Sequence, residues 1–352
     1  MSFINSDDAS FKTFTLRQPD DMHVHLRDGE MLKQVLFFTE TAFARALVMP
    51  NLPKPVLTGA DAMEYKKAIL ACRSTNFEPL MTIKLVASTT PAIIKEAMEV
   101  GVLAGKFYPE GVTTNSADGV RDVETLYPIF EAMEKHGMVL SLHGEEPGAF
   151  CLDREMLFLR SLEAIAEKFP QLKIVLEHIT TEAAASMVRS LPDNVAATIT
   201  VHHLILTLDD VIGDAGIQVH HFCKPIPKKP GDRDQLVEAV LSGNPKFFLG
   251  TDSAPHAVGK KECSHGCAGV FSAPVALEVL AEVFEKHDAL PKMEAFTSEF
   301  GARFYGLPLN ERPITLRKEE WDVPDFYGYG GFTNPVVPFK AGGTLTWRLP
   351  PE

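Results

Sequence analysis

Eight short, apolar, β-rich runs alternate with amphipathic stretches along this chain. That alternation predicts an α/β protein of the (β/α)8 TIM barrel type. The runs are 14–27, 45–49, 80–87, 103–108, 139–143, 173–178, 195–202 and 246–250. Helical patterning fills the intervals 31–43, 60–72, 91–100, 122–136, 154–169, 181–191 and 232–241. A second observation is chemical: five of the runs end in His, Lys or Asp, and the βα loops of a barrel build its active face from those ends. The third is negative. A doubly wound open sheet would share the alternation, but no Gly-x-Gly-x-x-Gly follows the first run and no Gly-Lys-Ser/Thr loop occurs, so nucleotide cradling lacks support.

The first run ends in Asp21-Met22-His23-Val24-His25-Leu26-Arg27-Asp28. Side chains on a strand alternate faces, which predicts that His23, His25 and Arg27 share one side. Two imidazoles one residue apart can converge on one metal ion, at roughly 2.0–2.1 Å for zinc, and the Arg adds a planar fork suited to a carboxylate. The fourth run ends in Gly105-Lys106-Phe107-Tyr108, the fifth in Ser141-Leu142-His143-Gly144-Glu145, the sixth in Leu176-Glu177-His178-Ile179 and the eighth in Gly250-Thr251-Asp252-Ser253. Among the helices, Thr90-Pro91 and Thr180-Thr181-Glu182 read as N-terminal starts. Beyond the eighth run, 274–287 and 293–304 are helical by pattern. From about residue 307 the chain turns Pro-, Gly- and aromatic-rich, and its alternating end, 343–348, is expected to pair with 11–17 in a small sheet beside the barrel. No linker or internal repeat interrupts residues 1–352, which read as one domain.

Composition bounds the partners. With 45% hydrophobic and 23% charged residues the chain has the balance of a soluble globular protein, and 352 residues suffice for one large barrel. A net charge of −13 argues against nucleic acid and anionic membrane surfaces, which need clustered cations. An acidic small molecule would then require locally concentrated positive charge, from metals or a few arginines. No apolar run is long enough to span a bilayer, and residues 1–13 lack the form of a secretory signal, so the cytoplasm is the expected compartment. Five cysteines, at 72, 151, 223, 263 and 267, form no disulfide framework and read as reduced thiols. Cys263, His265 and Cys267 have the look of a zinc knuckle but lack a fourth ligand and the usual spacing, and a loop over the site mouth is the better reading. The pairs His202-His203 and His220-His221 read as structural or supporting residues.

Taken together, DMHVHLRDG at 21–29, MPN at 49–51, AGKFYPEGVTTNS at 104–116, LHGE at 142–145, LEHITT at 176–181, GTDSAPH at 250–256 and CAGVFSAP at 267–274 resemble the amidohydrolase superfamily of metal-dependent barrels. Within it the chain resembles the compact dihydroorotases of bacteria and fungi, over essentially its whole length. The resemblance implies a dinuclear zinc centre at the C-terminal ends of the strands. His23, His25 and Asp252 would hold the more buried ion, His143 and His178 the second, and a carboxylated Lys106 would bridge them. It implies a metal-bridging hydroxide as nucleophile and Asp252 as general acid/base. The reaction implied is reversible cyclisation of N-carbamoyl-L-aspartate to L-dihydroorotate in pyrimidine biosynthesis. Arg27, Asn51 and His256 match residues that hold the substrate's α-carboxylate, and Lys224 and Ala268 mark backbone that reads the ring. Thr113 and Thr114 match a pair that reaches over the bound substrate, and family members are usually homodimers. Another cyclic amidohydrolase, such as a hydantoinase, would share the ligands but has no substrate carboxylate for Arg27. A catalytically dead scaffold would be expected to have lost at least one ligand.

Overall fold

In the computed structural model, two sheets organise the chain. The described residues are 12–112, 116, 119–214, 216–328 and 334–350, with the backbone alone of Phe3–Asn5. Strands β1 (Phe3–Asn5) and β2 (Thr13–Arg17) precede the barrel strands β3 (Asp20–Val24), β4 (Arg45–Val48), β5 (Glu78–Leu85), β6 (Ala104–Phe107), β7 (Val139–Leu142), β8 (Ile174–Leu176), β9 (Val195–Ile199) and β10 (Phe247–Leu249). Each of these eight pairs in parallel with the next. Closure comes just past β10, where Ser253 bridges Val24, the His25 N–H donates to the Ser253 carbonyl at 3.0 Å and the Asp252 N–H to the His23 carbonyl at 2.8 Å.

The helices Gly29–Ala42, Gly59–Cys72, Pro91–Glu99, Tyr127–His136, Arg154–Lys168, Glu182–Ser190, Pro230–Leu241 and Ala276–Lys286 follow the strands in turn. Three of the βα loops end on a threonine whose hydroxyl accepts a backbone N–H of the first helical turn: Thr58, Thr90 and Thr181. Thr90 and Thr181 lie where the sequence predicts helix starts.

The predicted first strand, 14–27, is two strands. Pro19 falls between them, so β2 leaves for the second sheet and only β3 enters the barrel. That second sheet has the order β1-β2-β11-β12, with β11 at Pro313–Asp322 and β12 at Thr344–Arg348. The chain end therefore pairs with β11, and β11, not the end itself, pairs with β2. Carboxylates on one face of the helix Ala276–Lys286 dock β12. Glu278 accepts the Leu349 N–H at 3.1 Å, Glu282 the Thr346 N–H at 2.7 Å, and Glu285 the Trp347 indole at 3.0 Å.

The barrel interior is layered with the strand period of two. Ala104, Val139, Val175, Ala196 and Phe248 form an apolar floor with Met22 and Leu47, closed from below by Ala302 and Tyr305. Two residues further along the same strands stand Lys106, Ser141, Glu177, Thr198 and Gly250, all directly under the predicted site. Gly250 has no room for a side chain: a Cβ there would lie 2.8 Å from Thr198 Cβ and 2.9 Å from His23 Cβ.

Candidate active site and metal centre

A small pocket, open to solvent, sits over that polar layer. It is lined by His23, His25, Arg27, Asn51, Tyr108, His143, His178, Lys224, Asp252, Ala254, Ala268 and Gly269. His256 meets this rim through Arg27 and Ala268, and Lys106 lies beneath it, fully buried. The predicted ligands are thus brought together. His23 lies 5.3 Å from His25 and 5.0 Å from His178 between ring centroids, and His178 lies 4.7 Å from His143. The Asp252 carboxylate reaches His25 Nε2 at 3.0 Å and His23 Nε2 at 3.4 Å. Thr113 and Thr114 lie outside the described residues.

Strand alternation delivers His23, but β3 ends at Val24, and Arg27 reaches the pocket by a left-handed backbone turn at φ 61°. His178 (φ 42°) and Asp252 (φ 44°) do the same. At His178 the reason is geometric. Glu177 already points into the barrel, so the next residue on a regular strand would face outward; the left-handed turn redirects it to the pocket.

Glu177 is the functional residue that sequence reasoning passed over. Fully buried, its carboxylate accepts the Thr198 hydroxyl at 2.6 Å and the Ser141 hydroxyl, and lies 2.9 Å from His23 Nδ1. With Nδ1 donating, His23 must present the Nε2 lone pair to the centre. On the far side Glu145 lies 2.8 Å from His143 Nε2, which leaves Nδ1 of that ring for a ligand. Asp21 ties the motif to the eighth strand end, accepting the Thr251 N–H at 2.8 Å, its hydroxyl at 2.6 Å and the His23 N–H at 3.1 Å. The available signal was period two from the apolar floor: Val175 inward makes Glu177 inward, and Ala104 makes Lys106 inward. Lys84, paired in register with Lys106 across β5 and β6, is a second buried lysine found by the same count.

Electrostatics favour ligation. Burial holds His25 down to about 4, and lowers His143 and His178 as well, so these rings keep a lone pair at neutral pH. Burial opposes ionisation of Asp252, yet the His25 hydrogen bond and the neighbouring imidazoles outweigh it and hold the carboxyl well below its usual range. Lys106 is brought down by burial to about 8, against the opposing pull of Glu177 and Asp252. Its Nζ and His178 Nδ1 are both buried without a hydrogen-bond partner among the described residues. Two buried donor-set atoms without partners fit a site built for cations.

The Arg27 guanidinium donates from Nε to the Pro255 carbonyl at 3.0 Å and contacts His256 Nε2 through Nη2 at 3.0 Å. That imidazole nitrogen also lies 3.1 Å from the Ala268 carbonyl, and it can serve only one of the two contacts in a given tautomer. Burial and the Arg27 charge hold His256 down to about 3, so it is a neutral partner. Cys263, His265 and Cys267 do not converge. Among the described residues the close groups of His, Cys, Asp or Glu are His23–His25–Asp252 and His202–His203–Cys223. All five cysteines are free thiols.

Comparison with known proteins now adds to this geometry. Residues 21–191 match the amidohydrolase family model. A dihydroorotase of Teredinibacter turnerae is 49% identical over 342 residues, covering 96% of this chain and 98% of the relative. The chain belongs to the dihydroorotase family. Among solved structures, the Campylobacter jejuni dihydroorotase superposes with a TM-score of 0.89 at 41% identity, covering 99% of this chain and 98% of that one. The Saccharomyces cerevisiae dihydroorotase, solved with 5-fluoroorotic acid, gives a TM-score of 0.89 at 38% identity, covering 97% and 99%. Membership of this amidohydrolase family makes the chain an enzyme of the cyclic-amide hydrolase class. No helix among the described residues is long and apolar enough to cross a membrane.

Proposed function

We propose that this dihydroorotase interconverts N-carbamoyl-L-aspartate and L-dihydroorotate with two zinc ions held by His23, His25, His143, His178, Asp252 and a carboxylated Lys106. The observation that carries the reading is the pairing of an unsatisfied buried amine and imidazole nitrogen with neutral His ligands around one pocket. With an ordinary value brought down to about 8, the Lys106 amine is partly neutral near physiological pH. A neutral amine can attack carbon dioxide and shed a proton, converting a would-be cation into an anionic oxygen donor. When bound, the two ions supply positive charge that polarises the substrate carbonyl and acidifies water at the site.

The chain's own residues do the rest. Arg27, Asn51 and His256 hold the α-carboxylate, Arg27 through a fork already oriented by Pro255 and His256. Backbone at Lys224 and Ala268 reads the ring. In ring opening, Asp252 takes the proton of the attacking water and passes it to the departing ring nitrogen. In ring closure it takes the ureido N–H proton and gives it to the departing hydroxyl. Its depressed pKa supports a group that is ionised at rest and reprotonated only in passing. We further propose one barrel domain over 1–352, with the segment from about 307 beside it, in a cytoplasmic homodimer acting on small molecules.

The test is ring opening of L-dihydroorotate by purified protein, with zinc counted in the same sample and hydantoin as control. Zinc near two per chain with turnover of dihydroorotate alone is expected. Full zinc with turnover of hydantoin, or of neither compound, would overturn the substrate assignment and remove Arg27 as its anchor.

A further inference from the structure

Beyond β9 the chain buries two adjacent imidazoles and a thiol that the reaction does not use. His202, His203 and Cys223 are each at most 2% exposed, and their ligating atoms lie within 4.8 Å of one another. Neither ring nitrogen of His202 has a hydrogen-bond partner among the described residues. A neutral imidazole carries one donor and one acceptor, and leaving both unpaired in a dry interior is unfavourable. The place calls for a further group.

The spacing says which kind. Cys223 Sγ lies 3.5 Å from His203 Nε2. Two ligands of one tetrahedral zinc, with Zn–S about 2.3 Å and Zn–N about 2.0–2.1 Å, stand about 3.6 Å apart. The other nitrogen of His203, Nδ1, is 2.8 Å from the Thr200 hydroxyl, the kind of oxygen to which a ligating imidazole donates its remaining proton. In the structure the His203 Nε2–H donates to the Pro225 carbonyl at 3.0 Å and the Thr200 hydroxyl donates to Nδ1. Moving the ring proton to Nδ1 and turning the hydroxyl frees Nε2 for a cation and leaves the ring still paired.

We propose that His202, His203 and Cys223 form a further cation site, for zinc or a similarly thiophilic divalent ion, separate from the centre at His23 and Asp252. Binding releases the Cys223 thiol proton to solvent, giving one thiolate and two neutral imidazoles, with a water or backbone oxygen in the fourth position. Burial keeps both rings neutral and pushes the thiol up, so binding strengthens as pH rises. Lys224, next in sequence to Cys223, lines the substrate pocket, so the ion would pin that wall.

Cobalt(II) loaded into the whole protein is the probe. A thiolate-to-cobalt charge-transfer band in the near ultraviolet requires a sulfur ligand, and the pocket centre offers only nitrogen and oxygen. The result is therefore independent of the substrate reading. The wild-type protein is expected to show the band. So is a variant with Cys72, Cys151, Cys263 and Cys267 all changed to Ser, in which Cys223 is the remaining thiol; Cys223→Ser should lose it. No band in the wild type, loss of the band in the four-site variant, or persistence in Cys223→Ser would each overturn the site. The four-site variant keeps the test decisive if Cys223→Ser fails to fold, because none of those four thiols is buried.

Discussion

Glu177→Gln isolates what the polar layer beneath the site contributes. The carboxylate now faces three neighbours, His23 Nδ1 at 2.9 Å, Thr198 Oγ1 at 2.6 Å and Ser141 Oγ. An amide can accept from only part of this set. His23 and Thr198 share one carboxylate oxygen and Ser141 takes the other, so with its NH2 on Ser141 the amide still accepts from both, but the His23 bond loses its charge. Turned to His23, it would make Nδ1 an acceptor and put the ring proton on Nε2, the nitrogen facing Asp252. Either way His23 loses a charge-assisted bond or its ligating tautomer. Changes to such supporting groups weaken metal affinity or activity about 10–100-fold, or about 1.4–2.7 kcal/mol. The assay is zinc competition against a chelator at fixed free zinc, with folding checked by circular dichroism and turnover measured on zinc-saturated protein. Ser141→Ala touches the same carboxylate but not His23, so only a few-fold change is expected. A folded Glu177→Gln protein with wild-type zinc affinity and turnover, or an equal effect in Ser141→Ala, would refute the tautomer argument.

Asp252→Asn should keep most of its zinc yet lose turnover by at least about 100-fold, the usual lower range for removing a positioned acid/base; near-normal turnover would end that assignment. Lys106→Ala should lose metal bridging and activity, with partial recovery on adding small carboxylic acids, and unchanged zinc stoichiometry and rate would remove Lys106 from the site. Glu278 tests linkage far from the pocket. Burial raises it from 4.5 to about 7, so between those values the folded chain keeps a proton that the unfolded chain has released, and stability falls as pH rises through that window. Glu278→Gln should therefore be near neutral in denaturant unfolding at pH 4 and stabilising by up to about 3 kcal/mol at pH 8; equal destabilisation at both would contradict it.

Much of the site was legible because a barrel converts sequence order into position: a polar residue at a strand end is carried to one rim. Strand-end position put His23, His25, Lys106, His143, His178 and Asp252 on that rim, and the resemblance supplied their expected roles as ligands. What was illegible depends on backbone or distant pairing. The break at Pro19 that sends β2 to another sheet leaves no gap in the apolar pattern. The insertion of β11 between β2 and β12 is a choice between edges that alternation cannot make. Glu177, beside a conspicuous His, could be found only by counting in twos from Val175, since reading the run from His178 assigns the opposite faces.

The same conflict explains where strain resides. Among the described residues, the side chains other than glycine with left-handed backbone are Arg27, His178, Asp252, Asp288 and Lys340. Three of these five line the pocket, each within three residues of a barrel strand's end. Such a backbone costs on the order of 1–3 kcal/mol per residue. Glycine would relieve it but would delete the proposed anchor, ligand or base. The sites are held by bonds that leave the backbone little alternative: the His178 N–H on Thr198, the Asp252 N–H on the His23 carbonyl, and Tyr65 donating to the Arg27 carbonyl. Period two alone would give each strand one inward residue per layer. The left-handed turns let a strand end supply a second, which is how His178 lines the pocket while Glu177, the residue before it, points into the barrel beneath.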